Sequence, residues 1–177
     1  MEAKEVVALD KTESESHRIL GSIYVVKRNF EMGKHHLTEA LKLSPNDSHI
    51  RIRMARHLNM TDQNEASITA AQQAMKLNPL HPGWYWQELG IAYYNLGDYP
   101  QALQAFAKNW EPTDHDMAWM AATHIAMGNK EQARQAAQQA LAIEPMNSEI
   151  ESYQDETMSE LFRQRISEAG IPVKGLN

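Results

Sequence analysis

Eight histidines, among them the adjacent pair His35-His36, are the side chains of this sequence best suited to chemistry. Imidazole carries protons near neutral pH and ligates transition metals. The spacing supports neither use. There is no HExxH pattern, no histidine is spaced from a carboxylate as paired metal ligands are, and no glycine-rich phosphate loop follows a strand. A Ser–His–Asp arrangement cannot be argued from helices of the kind described below. The histidines therefore read as surface or packing residues. No catalytic residue, metal ligand or cofactor is expected, and the chain is not expected to be an enzyme.

A second cluster points to binding. Arg51, Arg53 and Arg56, with His49 and His57, make one stretch basic in a chain whose formal net charge is −6. Guanidinium groups hold carboxylates through charge-assisted, often paired, hydrogen bonds. An acidic ligand is one reading of this stretch; a solvated helix face paired to nearby carboxylates is the other. The overall negative charge argues against nucleic acid and anionic membrane as partners. Trp84, Tyr94 and Trp119 are aromatic side chains of the sort that anchor interfaces. Trp86 reads differently, as a residue packed within its own hairpin.

These residues need a scaffold, and the periodicity supplies one. Ala40-Leu41-Lys42-Leu43-Ser44-Pro45 recurs as Ala74-Met75-Lys76-Leu77-Asn78-Pro79 and as Ala140-Leu141-Ala142-Ile143-Glu144-Pro145. Pro45 and Pro79 are 34 residues apart, and Pro79 and Pro145 are 66 apart, two units less two residues. The stretch Trp86 to Asp114 shows the unit most clearly. Trp86, Leu89, Gly90 and Tyr93 share one helical face. Gly97 ends that helix in a left-handed cap, Asp98 caps the next, and Pro100 is tolerated in its first turn. Ala102 is small where the helices approach, and Phe106 fills the adjacent gap.

This pattern resembles the tetratricopeptide repeat family. The resemblance implies an all-α fold: an α-α superhelix, or solenoid, of about four helix–turn–helix repeats with a C-terminal capping helix. Residues 1–13 form an N-terminal half-repeat or flank, 14–147 the four repeats, and 148–177 the capping helix and tail. The units begin near Ser14, Ser48, Gly83 and Asp114. Thr12 with Glu15, and Asp62 with Glu65, have capping spacing. The second helix of the third repeat is short, because Trp110-Glu111-Pro112 arrives early. Ser148 to Tyr153 reads as a short helical link. Met158, Leu161, Phe162 and Ile166 stripe the last helix, which Gly170 and Pro172 stop.

The family resemblance further implies a concave groove lined by the first helix of each repeat, holding an extended or helical peptide. Carried over position by position, it places Glu15, Arg18, Ser22 and Val25 in that groove from repeat one. Repeat two contributes His49, Ile52, Arg56, Asn59 and Met60, and repeat three Trp84, Gln87, Ile91 and Tyr94. Repeat four contributes His115, Ala118, Ala122 and Ile125. The carboxylate clamp of chaperone-binding members is not reproduced. Ser22 stands at an asparagine place, and Trp84 and Glu88 at cation places, where Glu88 would repel a carboxylate.

A narrower resemblance rests on Asn78-Pro79-Leu80-His81-Pro82-Gly83-Trp84-Tyr85-Trp86, on the short third repeat, and on Glu168-Ala169-Gly170-Ile171-Pro172. These are similar to the C-terminal repeat segment of bacterial signalling proteins that join such repeats to a class III adenylate cyclase or a winged-helix domain.

The functional expectation is a non-enzymatic scaffold binding a partner protein or peptide, of acidic character at repeat two, in the groove. A regulatory or self-associating segment of a bacterial adenylate cyclase or transcription regulator is the alternative. Cysteine is absent, so disulfides and thiolate metal sites are excluded. No apolar run approaches the ~20 residues of a membrane span, and Met1 to Asp10 lacks a secretory signal pattern. A cytoplasmic location is the resulting expectation.

Overall fold

The computed structural model describes residues 14–143 and 156–173. The expected half-repeat at residues 3–11, Thr12 as a cap and the link at Ser148 to Tyr153 lie outside the described residues. Among these there are helices and turns only. The helices are α1 (Ser14–Val26), α2 (Phe30–Leu43), α3 (Ser48–Met60), α4 (Asn64–Leu77), α5 (Tyr85–Asn95), α6 (Tyr99–Phe106), α7 (Asp114–Ala126), α8 (Lys130–Ile143) and α9 (Glu156–Ala169). They pair as four hairpins, α1–α2, α3–α4, α5–α6 and α7–α8, with α9 last. The chain divides into two compact units, residues 1–81 and 82–177.

All four hairpins turn the same way. Each has a left-handed residue two positions before its second helix: Arg28 (φ 59°), Asp62 (φ 57°), Gly97 (φ 77°) and Gly128 (φ 77°). Only glycine takes this conformation without a steric cost, so the turns of unit 1 are made from costlier residues than those of unit 2. The turns close by the same bonds. Asp98 N donates to Tyr93 O, and Asn129 N to His124 O, each at 2.9 Å. In unit 1 Asn29 N donates to Tyr24 O and Gln63 N to Leu58 O, also at 2.9 Å. Asp62 is therefore a turn residue and not the cap that its spacing with Glu65 suggests. Gln63 holds the cap position without a side-chain capping bond, and Asp62 Oδ1 accepts from Asn64 Nδ2 at 2.7 Å. Asp98 does cap α6, accepting from Gln101 N at 3.3 Å.

Within each hairpin the helices close on small residues. A Cβ on Gly21 would stand 2.6 Å from Leu37 Cγ, and one on Gly33 would stand 2.8 Å from a Val25 methyl. In the third hairpin a Cβ on Gly90 would stand 2.4 Å from the Phe106 ring, and both Leu37 and Phe106 are fully buried. Unit 1 packs Val25, Phe30, Leu37 and Met60 together. Unit 2 has a larger core running from Ile91 and Tyr94 through Phe106 and Trp119 to Phe162 and Val173.

The short α6 is compensated by a polar clasp. Thr113 and Asp116 form a reciprocal capping box at the start of α7. The buried Asp116 Oδ2 also accepts from Asn109 Nδ2 at 3.0 Å. Asn109 Oδ1 in turn accepts from Glu111 N at 3.2 Å. The loop that replaces the missing turn of helix is thus held by hydrogen bonds gathered on Asp116 Oδ2, while Asp116 Oδ1 is buried without a partner among the described residues.

Candidate partner-docking site

The residues expected in a groove belong to α1, α3, α5 and α7, the first helix of each hairpin, apart from Trp84, which occupies the cap position at the start of α5. In unit 1 they divide by exposure. Ile52, Asn59 and Met60 are buried, as is Val25 apart from one edge. Glu15 and His49 are exposed, and Arg18, Ser22 and Arg56 are half-buried. The accessible ones gather on one side of α1 and α3. Arg18 and Glu15 form an ion pair. The hydrogen bond from Arg18 holds the Glu15 carboxyl below its ordinary range, and positive charge on Arg18 and His49 adds to this. Ser22 Oγ donates to Arg18 O at 2.9 Å.

Ser22, Val25, Val26, Arg53 and Arg56 line a small open pocket of ≈ 90 Å³. Its lining includes Val26, an apolar side chain 71% exposed on the last residue of α1. Two guanidinium groups beside an exposed valine suit a ligand with a negative charge next to an apolar group. Three of the expected groove residues, Ser22, Val25 and Arg56, meet in this pocket. Sequence reasoning placed Arg53 in the basic cluster but not in the groove, and missed Val26. The signal for both was available: they fall on adjacent turns of α1 and α3, beside Ser22 and Arg56.

The rest of the basic cluster lies elsewhere. Arg51 Nη1 donates to Gln73 Oε1 at 2.8 Å, and its Nη2 to Pro45 O. Arg51 thus ties α3 to α4 and to the preceding turn. His57 is buried against Phe30, with ring centroids 6.4 Å apart. Burial pushes its pKa down, so it contributes packing instead of the positive charge expected of it. A second histidine group forms between α1 and α2. His17 Nδ1 and His36 Nδ1 are 3.0 Å apart, and Tyr24 stacks on His36 at 5.5 Å. Among the described residues no three His, Asp or Glu side chains converge as a metal site would require.

Unit 2 places its groove candidates differently. Ile91, Tyr94, Ala118 and Ala122 are all buried in the core of the unit. Trp119, expected as an aromatic anchor, is 1% exposed and packs on Phe162 with centroids 3.9 Å apart. Tyr94 lies 5.1 Å from Trp119 and 6.3 Å from Phe162, ring to ring. Burial pushes the Tyr94 phenol up, against a hydrogen bond from Arg165. Gln87 and Trp84 are half-buried, the latter edge-on to Tyr85 at 4.5 Å. His115 is exposed and Ile125 half-buried. Trp86 receives the Lys108 ammonium over its ring at 4.4 Å, a contact within its own hairpin.

Comparison with known proteins agrees with the helical-hairpin fold. Residues 117–147 match a family model described as Tetratricopeptide repeat. A tetratricopeptide repeat protein from Parabacteroides merdae superposes with a TM-score of 0.73 at 14% identity, over 94% of this chain and 61% of its own. The fold is that of a tetratricopeptide repeat protein. A thermophilic tetratricopeptide repeat protein of Thermus thermophilus superposes with a TM-score of 0.75 at 14% identity, over 94% of this chain and 86% of its own. YrrB, described as a tetratricopeptide repeat protein with an unusual peptide-binding site, gives a TM-score of 0.59 at 10% identity, over 96% of this chain and 88% of its own. The chain thus spans less than two thirds of the Parabacteroides protein and 30% of the chain matched in the Cut9–Hcn1 complex. A search of curated proteins found no match. None of the relatives named here is a cyclase or a winged-helix regulator. The fold class is all-α, of the tetratricopeptide solenoid type. No helix among the described residues is long and apolar enough to cross a membrane.

Proposed function

We propose that this protein is a non-enzymatic docking module, and that unit 1 binds an acidic peptide segment of a partner protein across α1 and α3. The observation that carries the reading is the pocket shared by Ser22, Val25 and Val26 of one hairpin and Arg53 and Arg56 of the next. A carboxylate reaching Arg53 and Arg56 leaves the neighbouring side chain of the peptide over Val26. The tetratricopeptide fold supports a binding role, since its members hold peptides on the first helices of their hairpins. The remaining candidates of unit 1, Arg18 and His49, would extend the same face toward the start of α1.

The test uses a fluorescein-labelled peptide of glutamates around one leucine, and a second in which lysine replaces each glutamate. Anisotropy should rise with the acidic peptide alone. The Arg53→Glu/Arg56→Glu variant should weaken its binding at least roughly tenfold, about 1.4 kcal/mol. Val26→Asp should weaken it too, and added salt should reduce it in the wild type. Equal binding of both peptides, or no change in the double variant, discards the reading. The self-associating regulatory segment remains a second proposal and rests on the sequence resemblance alone. Light scattering across a concentration series checks it: a constant monomer mass removes self-association.

A further inference from the structure

The last helix packs where a ligand would be expected. In unit 1, α3 follows α2 in the chain and packs more closely on α2 than on α1. Helix α9 reverses that order: it follows α8, yet packs mainly on α7. It therefore lies over first helices, against residues the family resemblance assigns to ligand contact. Its buried side chains, Phe162, Ile166 and Ala169, continue through Ile171 to Val173. Phe162 covers Trp119 and meets Tyr94. Arg165 Nη1 donates to Tyr94 Oη at 2.8 Å and its Nη2 to Tyr99 Oη at 3.2 Å. The same guanidinium lies 5.3 Å and 5.4 Å from the centroids of those two rings. The outer side carries Glu160, Gln164 and Glu168, all exposed. The ion pair from Glu168 to Lys130 of α8 spans 3.3 Å between two well-exposed side chains.

This is how an amphipathic helix binds a hydrophobic face: an aromatic anchor, a cation three residues on, and an aliphatic residue four on. Nothing in the recognition requires that the helix be α9. Tyr94 and Tyr99 are neutral acceptors and the rest of the contact is apolar, so another helix with the same three side chains can replace it. We propose that α9 is a resident ligand. It covers a surface of α5, α6 and α7 that fits a partner's amphipathic helix bearing Phe, Arg and Ile at positions i, i+3 and i+4. A partner docks there by displacing α9. The proposal rests on the docking reading in treating partner binding as the role of the fold, but it concerns a different unit and a ligand of different chemistry.

The experiment uses the full chain and a labelled peptide with the sequence of residues 156–173. The wild type should take up the peptide weakly, because its own helix competes at high effective concentration. Phe162→Ala/Arg165→Ala in the full chain should bind it at least tenfold more tightly, with circular dichroism showing that the other helices persist. The same two changes in the peptide should abolish uptake. Should the double variant lose its fold, Arg165→Gln, which removes the guanidinium and keeps Phe162, should still give a measurable gain. Amide exchange of wild-type α9 should be faster than that of α7, through local opening. Uptake no tighter in either folded variant, or α9 amides that exchange only together with α7, would overturn the proposal. Arg53→Glu/Arg56→Glu should leave uptake unchanged, so a failure here is separable from a failure of the acidic-peptide reading.

Discussion

The first helices of the two units began from one sequence pattern and have opposite fates. In unit 1, α1 and α3 present Ser22, Val26, Arg53 and Arg56 around an open pocket. In unit 2, α5 and α7 are roofed by Phe162 and Arg165, and Tyr94 and Trp119 are core residues. Side-chain character accounts for the difference. Guanidinium groups are costly to bury, whereas a tyrosine beside a tryptophan offers an apolar surface whose burial is favourable. The hairpin turns differ in parallel. Unit 2 has glycine at both left-handed positions, and unit 1 has Arg28 and Asp62. Unit 2 thus carries both the larger core and the cheaper turns.

Four measurements would break or sharpen that contrast. The largest effects should come from the hairpin cores. Phe106→Ala should cost about 3–5 kcal/mol and Leu37→Ala about 2–5 kcal/mol, read from urea midpoints. Both side chains are almost fully buried. Hydrogen exchange should show the larger loss in the unit that carries the substitution, and a loss spread evenly over all helices would remove that contrast.

Acid should come next, and unevenly. The pKa values of His36 and His57 in unit 1 and of His124 in unit 2 are lowered, chiefly by burial. The folded state prefers these imidazoles neutral, and the unfolded chain takes up protons more readily. Their contribution is therefore complete above the ordinary imidazole pKa, about 6.5, and is lost as pH falls below it. His57 Nδ1 and His124 Nδ1 both lack a hydrogen-bond partner among the described residues. The units differ in that unit 1 has two imidazoles with lowered pKa, His36 and His57, against one in unit 2 among those residues. Protection of α2 and α3 amides should drop more than that of α7 between pH 7.5 and 5.5, and His57→Leu should shrink the drop. An equal decline in both units would show that burial of His36 and His57 is not what matters.

The turns give a smaller, signed pair of effects. Gly97→Ala should destabilise by about 1 kcal/mol, because alanine resists a φ of 77°. Arg28→Gly should stabilise by about 0.5–1 kcal/mol for the converse reason. If both variants melt at the wild-type temperature, the turns contribute nothing to the difference between the units. Least of all should come from the Arg18–Glu15 pair, whose carboxylate side is well exposed. Arg18→Ala should change stability by no more than about 0.5 kcal/mol.

The helices and hairpins were legible in the sequence because spacing alone dictates them. Gly97, Asp98, Ala102 and Phe106 each act as their types require. The site was legible only in part. Periodicity shows which residues lie on a helix's outward face but not what lies over that face. Ser22 and Arg56 share their pocket with Val26, and Tyr94 lies under Arg165, which is 71 positions away. The turn at Asp62 was misread for a local reason. Asp62–Glu65 has the spacing of a cap, yet the repeat geometry required a left-handed residue there. The capping box at Thr113 and Asp116 went unread because the shortened α6 displaced the register by which the other starts were found.

The clasp between Asn109 and Asp116 bears on how this molecule could be rebuilt. Repeat arrays invite cut-and-paste engineering, in which one unit is exchanged for a consensus copy. Here a buried carboxylate belonging to the fourth hairpin takes one of its hydrogen bonds from an amide in the tail of the third. Transplanting either hairpin alone would leave that buried carboxylate with only the bonds of its own cap at Thr113, so these two should travel as a single cassette.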